Sequence, residues 1–91
     1  RYKLLITYTE IGVSQIHNTV ARAAAFRHNA TAMGVTVEDV CWTLGAYDGI
    51  LTLTADREEM VIALVTDLAR RGYVRTQLLR AFTEEEFEDI L

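Results

Sequence analysis

Tyr47 and Asp48 stand side by side in Gly45-Ala46-Tyr47-Asp48-Gly49, a turn by composition with glycine at both ends. A phenol beside a carboxylate can bind a small molecule, or take a proton from it, at the mouth of a cavity. The same pair has a structural use, since aspartate caps its own backbone in turns and tyrosine can lie over a sheet edge. The structural use is the expected one, and the chemical one stays open. His17 and His28 are eleven residues apart, about 16 Å of rise on one continuous helix, too far to share a metal ion. Neither has a ligand-type residue at a suitable spacing, so no metal site is expected. His17, close to a helix entrance, is a candidate pocket residue, and His28 is an ordinary surface histidine. Cys41 has only Val40, Trp42 and the acidic Asp39 around it, with no cation to activate the thiol, so it is expected to be buried as a small apolar group. Trp42 belongs in a core or an interface, with an indole N–H that needs a partner if buried. Arg22 falls in the first turn of a helix, where a cation opposes the helix dipole. It is expected there to meet a carboxylate, either Asp48 or a ligand anion. Glycine-rich phosphate loops, HExxH, GxSxG and Ser/His/Asp arrangements are absent, and no cofactor is expected.

The chain that must position these residues has 91 residues, 51% of them apolar and 24% charged, with five glycines, no proline and one cysteine. That is enough for one domain over 1–91 with its own core, and too apolar for a disordered chain. One cysteine excludes an intrachain disulfide framework and a cysteine-based zinc site. No apolar run is long enough for a membrane span, and Arg1-Tyr2-Lys3 carries no signal-peptide pattern. A soluble protein of a reducing, cytoplasmic compartment is the expectation, with no membrane partner. Net charge is −4, but Glu84, Glu85, Glu86, Glu88 and Asp89 put five negative charges in the last nine residues, so residues 1–82 lie within one charge of neutrality. Such a body has no excess to neutralise a row of phosphates. Arg70 and Arg71 close a helix, where cations suit the dipole, and nucleic-acid binding is not expected.

Residues 2–8 are aromatic and β-branched enough for a strand, and the pattern breaks at Ile11-Gly12. Thr19 to Met33 is Ala-rich and helical, with Thr19 as N-cap, Gly34 in the C′ position and Ser14 able to open an earlier turn. Val20, Ala23, Ala24 and Ala30 share a side of it, a stripe of small residues that lets the helix sit close to what it covers. Val35 to Leu44 reads as a strand in which Val40, Trp42 and Leu44 alternate. Val35 and Val37 fall in the opposite phase, which places a bulge or break at Glu38-Asp39. Ile50 to Ala55 completes a hairpin. Asp56 and Glu59 have the capping-box form, ahead of Val61, Leu64, Val65 and Leu68 at helical spacing and a stop at Gly72. Val74 to Ala81 is a fourth strand. Thr83 and Glu86 form a second capping box, with Phe82 and Phe87 placed for a hydrophobic staple and Ile90 and Leu91 extending the apolar side.

The order β-α-β-β-α-β plus a C-terminal helix is the ferredoxin-like α+β unit, one four-stranded antiparallel sheet with two helices on one face. The third strand alternates Leu51, Leu53 and Ala55 against Ile50, Thr52 and Thr54, and the first Tyr2, Leu4, Ile6 and Tyr8 against Lys3, Leu5 and Thr7, so whichever face the helices leave is apolar or semi-polar, Lys3 apart. A solvated sheet face is usually polar, so this one is expected to be covered by a second copy in a homodimer, sheet against sheet.

Trp42-Thr43-Leu44-Gly45-Ala46-Tyr47-Asp48-Gly49 resembles the GYD domain family, named for a Gly-Tyr-Asp motif that stands here as Gly45, Ala46, Tyr47 and Asp48. The resemblance extends to Asn18-Thr19 with Arg22, to the strand at 50–55, and to Val74-Arg75-Thr76 followed by Phe82-Thr83-x-x-Glu86. Where family members often carry proline, after the first helix cap and near the end of the third strand, this chain has Val20 and Ala55-Asp56. The resemblance implies a ferredoxin-like domain related to the dimeric α/β-barrel proteins. Their relatives by fold include cofactor-free monooxygenases, isomerases and haem enzymes, an analogy that does not carry an activity with it.

Three functions fit these readings. One is a homo-oligomeric module whose barrel binds a small, partly apolar ligand or builds an assembly, with Tyr47, Asp48, Trp42, His17 and Arg22 as candidate ligand-binding residues. Another is a cofactor-free enzyme of the oxygenase or isomerase kind, with Tyr47, Asp48 and His17 in the pocket. The last is a structural oligomerisation subunit. Polar groups converging in a cavity favour the enzyme, and a filled cavity with satisfied polar groups favours the structural subunit.

Overall fold

The computed structural model describes residues 1–91. In chain order the elements are β1 (Tyr2–Tyr8), α1 (Glu10–Ser14), a 3₁₀ turn (Ile16–Asn18), α2 (Thr19–Ala32), β2 (Val35–Trp42), β3 (Gly49–Ala55), α3 (Glu58–Arg70), β4 (Val74–Arg80) and α4 (Glu84–Ile90). The strands form one antiparallel sheet in the order β2-β3-β1-β4. This is the ferredoxin-like arrangement, in which each strand–helix–strand unit is split by a strand of the other.

Period-two alternation sorts the sheet residues. Leu4, Leu51 and Leu53 are buried on the face that the helices cover, together with Val35 and Val37 of β2. From α3 come Val61, Leu64 and Val65, each contributing about 1.5–3 kcal/mol by leaving water. The pairing of β2 with β3 slips between Val37 and Asp39, which is the bulge expected at Glu38-Asp39. Its physical consequence is a change of phase: beyond it Val40 and Trp42, rather than Asp39 and Cys41, share the inner rows with Leu51 and Gly49.

Several local expectations are corrected. The buried side of α2 is Phe26 and Ala30, while Val20 and Ala24 face outward. Ala30 thus keeps its expected place, and Phe26, the bulkiest apolar group of the helix, takes the burial expected of Val20 and Ala24. Thr19 is the first helical residue and not the cap; its hydroxyl is engaged by Tyr8, and Asn18 occupies the cap position without a side-chain bond. Asp56 and Glu59 do not form a capping box: α3 begins from Arg57, whose Nε binds the Glu59 carboxylate at 2.7 Å. β2 ends at Trp42, and Leu44 is wholly exposed in the turn. Cys41 is exposed rather than buried, because the bulge puts it across from Ile50 on the face that no helix covers. A short helix, α1, fills the break at Ile11-Gly12, capped by Thr9, whose hydroxyl accepts from the Gly12 amide and donates to the Gly72 carbonyl. Gly12 is required there because a Cβ would overlap the Tyr73 carbonyl oxygen.

The capping box at Thr83 forms as expected. The Glu86 amide donates to the Thr83 hydroxyl at 3.1 Å and the Thr83 amide to the Glu86 carboxylate at 2.9 Å. Phe82 and Phe87 are each about half exposed, so a staple buries little of either, and no residue of α4 is buried. The Thr83 amide, then the Thr83 hydroxyl, hold the Glu86 carboxyl below the ordinary glutamate value. A depressed carboxyl stabilises the folded form above its unfolded-state value, and that contribution disappears as pH falls through the folded one. An NMR titration of Glu86 should therefore find a midpoint below the ordinary glutamate value. Thr83→Ala keeps the amide and loses the hydroxyl, so it should raise that midpoint part of the way and fray α4 at neutral pH.

Candidate functional site

α2 and α3 do not close fully on the sheet. Between them lies a cavity of about 300 Å³, at the lower end of the size range for small-molecule pockets. Its floor is Ile6, Val40 and Leu51, and Phe26, Leu64 and Leu68 come down from the helices. The space exists because α2 presents Ala23 over this part of the sheet, where a larger side chain would fill it.

One group of polar side chains at the cavity is built from three elements. Tyr8 ends the inward alternation of β1, Trp42 ends that of β2, and Thr19 starts α2. The Trp42 indole N–H donates to the Tyr8 hydroxyl at 2.9 Å, and the Tyr8 and Thr19 hydroxyls are bonded at 2.7 Å. Trp42 is 45% exposed, so it is not in the core of the single chain, and its one polar atom is bonded all the same.

A second polar group contains Arg22, Tyr73, Asp67 and Arg71. Asp67 accepts from Arg70 at 2.7 Å and from Arg71 at 3.1 Å, and these bonds, Arg70 first, hold its carboxyl below the usual aspartate range. Arg71 is thus paired. Arg22 is not: its Nη1 donates to the Gln15 carbonyl at 3.1 Å, and its guanidinium lies 4.5 Å over the Tyr73 ring. Its Nη2 is buried with no acceptor. The ring contact is worth about 0.5–2 kcal/mol, yet it leaves those N–H groups unbonded.

Arg22 and Trp42 therefore line the cavity, whereas Tyr47, Asp48 and His17 do not. His17 is exposed in the 3₁₀ turn, and His, Cys, Asp and Glu side chains nowhere gather in a group of three that could hold a metal ion. Tyr47 lies on the opposite side of the sheet, its hydroxyl donating to the Gln77 Oε1 at 3.0 Å across β1. Asp48 does not meet Arg22. Its amide donates to the Ile6 carbonyl at 2.8 Å, and its carboxylate accepts the Tyr8 amide at 2.8 Å. The motif aspartate thus extends the ladder between β1 and β3 and holds Tyr8 where Trp42 can reach it. Tyr8, Thr19 and Tyr73 were missed from the sequence. Tyr8 was legible as the last inward position of a strand, but nothing in the spacing ties Tyr73 to Arg22.

Asp48→Ala would leave the Tyr8 amide without its acceptor, an expected loss of about 1–3 kcal/mol in urea unfolding. Asp48→Asn keeps a side-chain oxygen and should retain most of that stability. An equal loss in both variants would mean that the charge, not the acceptor, is what the turn needs.

Searches of curated proteins and of solved structures return no significant match. No helix is long and apolar enough to cross a membrane. The model of the GYD domain matches residues 2–91, and the turn at Tyr47-Asp48 around which the sheet is joined lies within that match, so the chain belongs to the GYD domain family.

Proposed function

We propose that this domain is a homodimeric binding module that takes a small, largely apolar molecule between its helices and its sheet. The observation that carries the reading is the cavity, an unfilled space with mostly apolar walls that lacks Tyr47, Asp48 and His17, the residues an enzyme reading put there. Filling it would add packing to a small core, so leaving it open costs stability. Tyr8, Trp42 and Phe26 offer aromatic surfaces for a ring to lie against.

Pairing of two copies rests on the other face of the sheet. Leu5 and Ile50 stand in one row with Cys41, and Leu79, 42% exposed, is in the next row beside Lys3. Thr52 is buried under the Lys3 ammonium, which donates to its hydroxyl at 2.7 Å, and Thr54 is bonded to Glu38. The polar groups of that face are in part already partnered within the chain, and a second copy covering it would bury leucine and isoleucine at little desolvation cost.

Naphthalene-2-methanol, a neutral two-ring probe, titrated into the protein should shift the Trp42 indole N–H and the Ala23 and Leu68 amides saturably. Ala23→Phe, which fills the cavity, should abolish the shifts. Absence of saturable shifts at these positions would leave a structural subunit as the better reading. Light scattering should give twice the chain mass for the natural protein and a monomer for Leu79→Glu. A monomeric natural protein would overturn the dimer.

A further inference from the structure

The polar atoms at the cavity do not balance, and the imbalance has a sign. Trp42, Tyr8 and Thr19 bring three N–H or O–H hydrogens to two hydrogen bonds. If Tyr8 donates to Thr19, the threonine hydrogen is left over; if Thr19 donates, the tyrosine hydrogen is. Either way one hydroxyl hydrogen is left over beside lone pairs that can still accept, so this group can meet a donor or an acceptor and the sign is set elsewhere. Arg22 adds the two N–H donors of Nη2, which are buried and unbonded. The one carboxylate at the cavity, Asp67, is taken by Arg70 and Arg71. Nor does the first turn of α2 carry any acidic residue that would neutralise Arg22. The cavity's surplus of fixed sign is therefore that of Arg22, a half-buried cation whose Nη2 has no acceptor within the chain and which an anion would pair.

From this surplus we infer the chemical class of the occupant: a planar organic monoanion, a carboxylate borne on one or two rings, whose oxygens accept from Arg22. The inference rests on the binding function proposed above and adds its charge and shape. The charge follows from Arg22, the one cavity cation without a carboxylate. A guanidinium is planar and fits a carboxylate in its own plane, and the Tyr73 ring beneath it holds that plane in place. The shape follows from the walls, where Phe26, Tyr8 and Trp42 suit a flat apolar body. The spare hydroxyl hydrogen of the Tyr8–Thr19 pair is available to a further oxygen on the same ligand.

The test compares naphthalene-2-carboxylate with naphthalene-2-carboxamide, which share a shape and differ in charge. Isothermal titration on the natural protein should show the acid binding about tenfold tighter than the amide, the gain of one charge-assisted bond. Arg22→Gln should close that gap by weakening the acid alone, and Arg22→Lys should keep part of it. Equal binding of acid and amide by the natural protein would overturn the inference while leaving the binding function intact, and needs no variant to be stable. A gap that survives Arg22→Gln would also overturn it, since another group would then hold the anion. Failure of acid, amide and the neutral alcohol alike would instead bring down the binding function itself.

Discussion

A single residue of the β2–β3 turn carries the ladder between β1 and β3 beyond its last regular pair. Asp48 gives its amide to Ile6 and takes the amide of Tyr8 on its carboxylate, so the turn is fastened to the end of the central strand by backbone and side chain together. Register in a half-buried sheet cannot slip by one residue without turning every side chain over. Fastening this junction keeps Tyr8 on the inner face, opposite the strand end that presents Trp42. The Trp42–Tyr8–Thr19 hydrogen bonds then tie β2, β1 and the start of α2 into one corner. Gly49 belongs to the same arrangement, because a Cβ there would press on Ile6 at 3.0 Å and on the Cys41 carbonyl at 3.2 Å.

That corner stands beside an opening rather than a filled core. The buried cluster includes Tyr2, Leu4, Leu53, Val61 and Leu64, while the space beside Ala23 stays empty. A domain of this size has little apolar area to spare, and a void costs dispersion contacts along its whole lining. Charged and polar atoms left without partners cost more again. Arg22 shows the tension most directly: cation–π contact with Tyr73 and one carbonyl acceptor hold it, but they do not satisfy it. Buried polar groups in native proteins nearly always find partners, so each exception calls for an explanation.

The two faces of the sheet are unlike. The inner face is closed by helices except at the cavity, and the outer face has no covering element, although leucine, isoleucine and cysteine reach it. α4 behaves differently from the other helices. Its capping box, and not burial, holds its first turn, and it turns Phe87, Ile90 and Leu91 outward on the single chain. Local hydrogen bonding is sufficient for one such turn because it satisfies the amides that a helix start leaves free.

Element types, their order and the sheet topology were readable from the sequence, because alternation, helical spacing and glycine stops are local patterns. So was the bulge at Glu38-Asp39, which a change of hydrophobic phase announces. Errors fell where a local pattern met competition from distant residues. Asp56-Glu59 has the form of a capping box, but Arg57 takes the glutamate; Thr19 has the form of a cap, but Tyr8 takes its hydroxyl. The same reason divides the site. Arg22 stands out in the sequence as a cation in the first turn of a helix, a misfit visible without coordinates, and Trp42 as an aromatic of a core or interface. That Asp48 serves the ladder, that Tyr47 reaches across the opposite face, and that Tyr8, Thr19 and Tyr73 meet the other two at the cavity depended on strand order and on the rotation of α2. Contacts between residues far apart in the chain are set by how whole elements pack, and only the tertiary structure decides that.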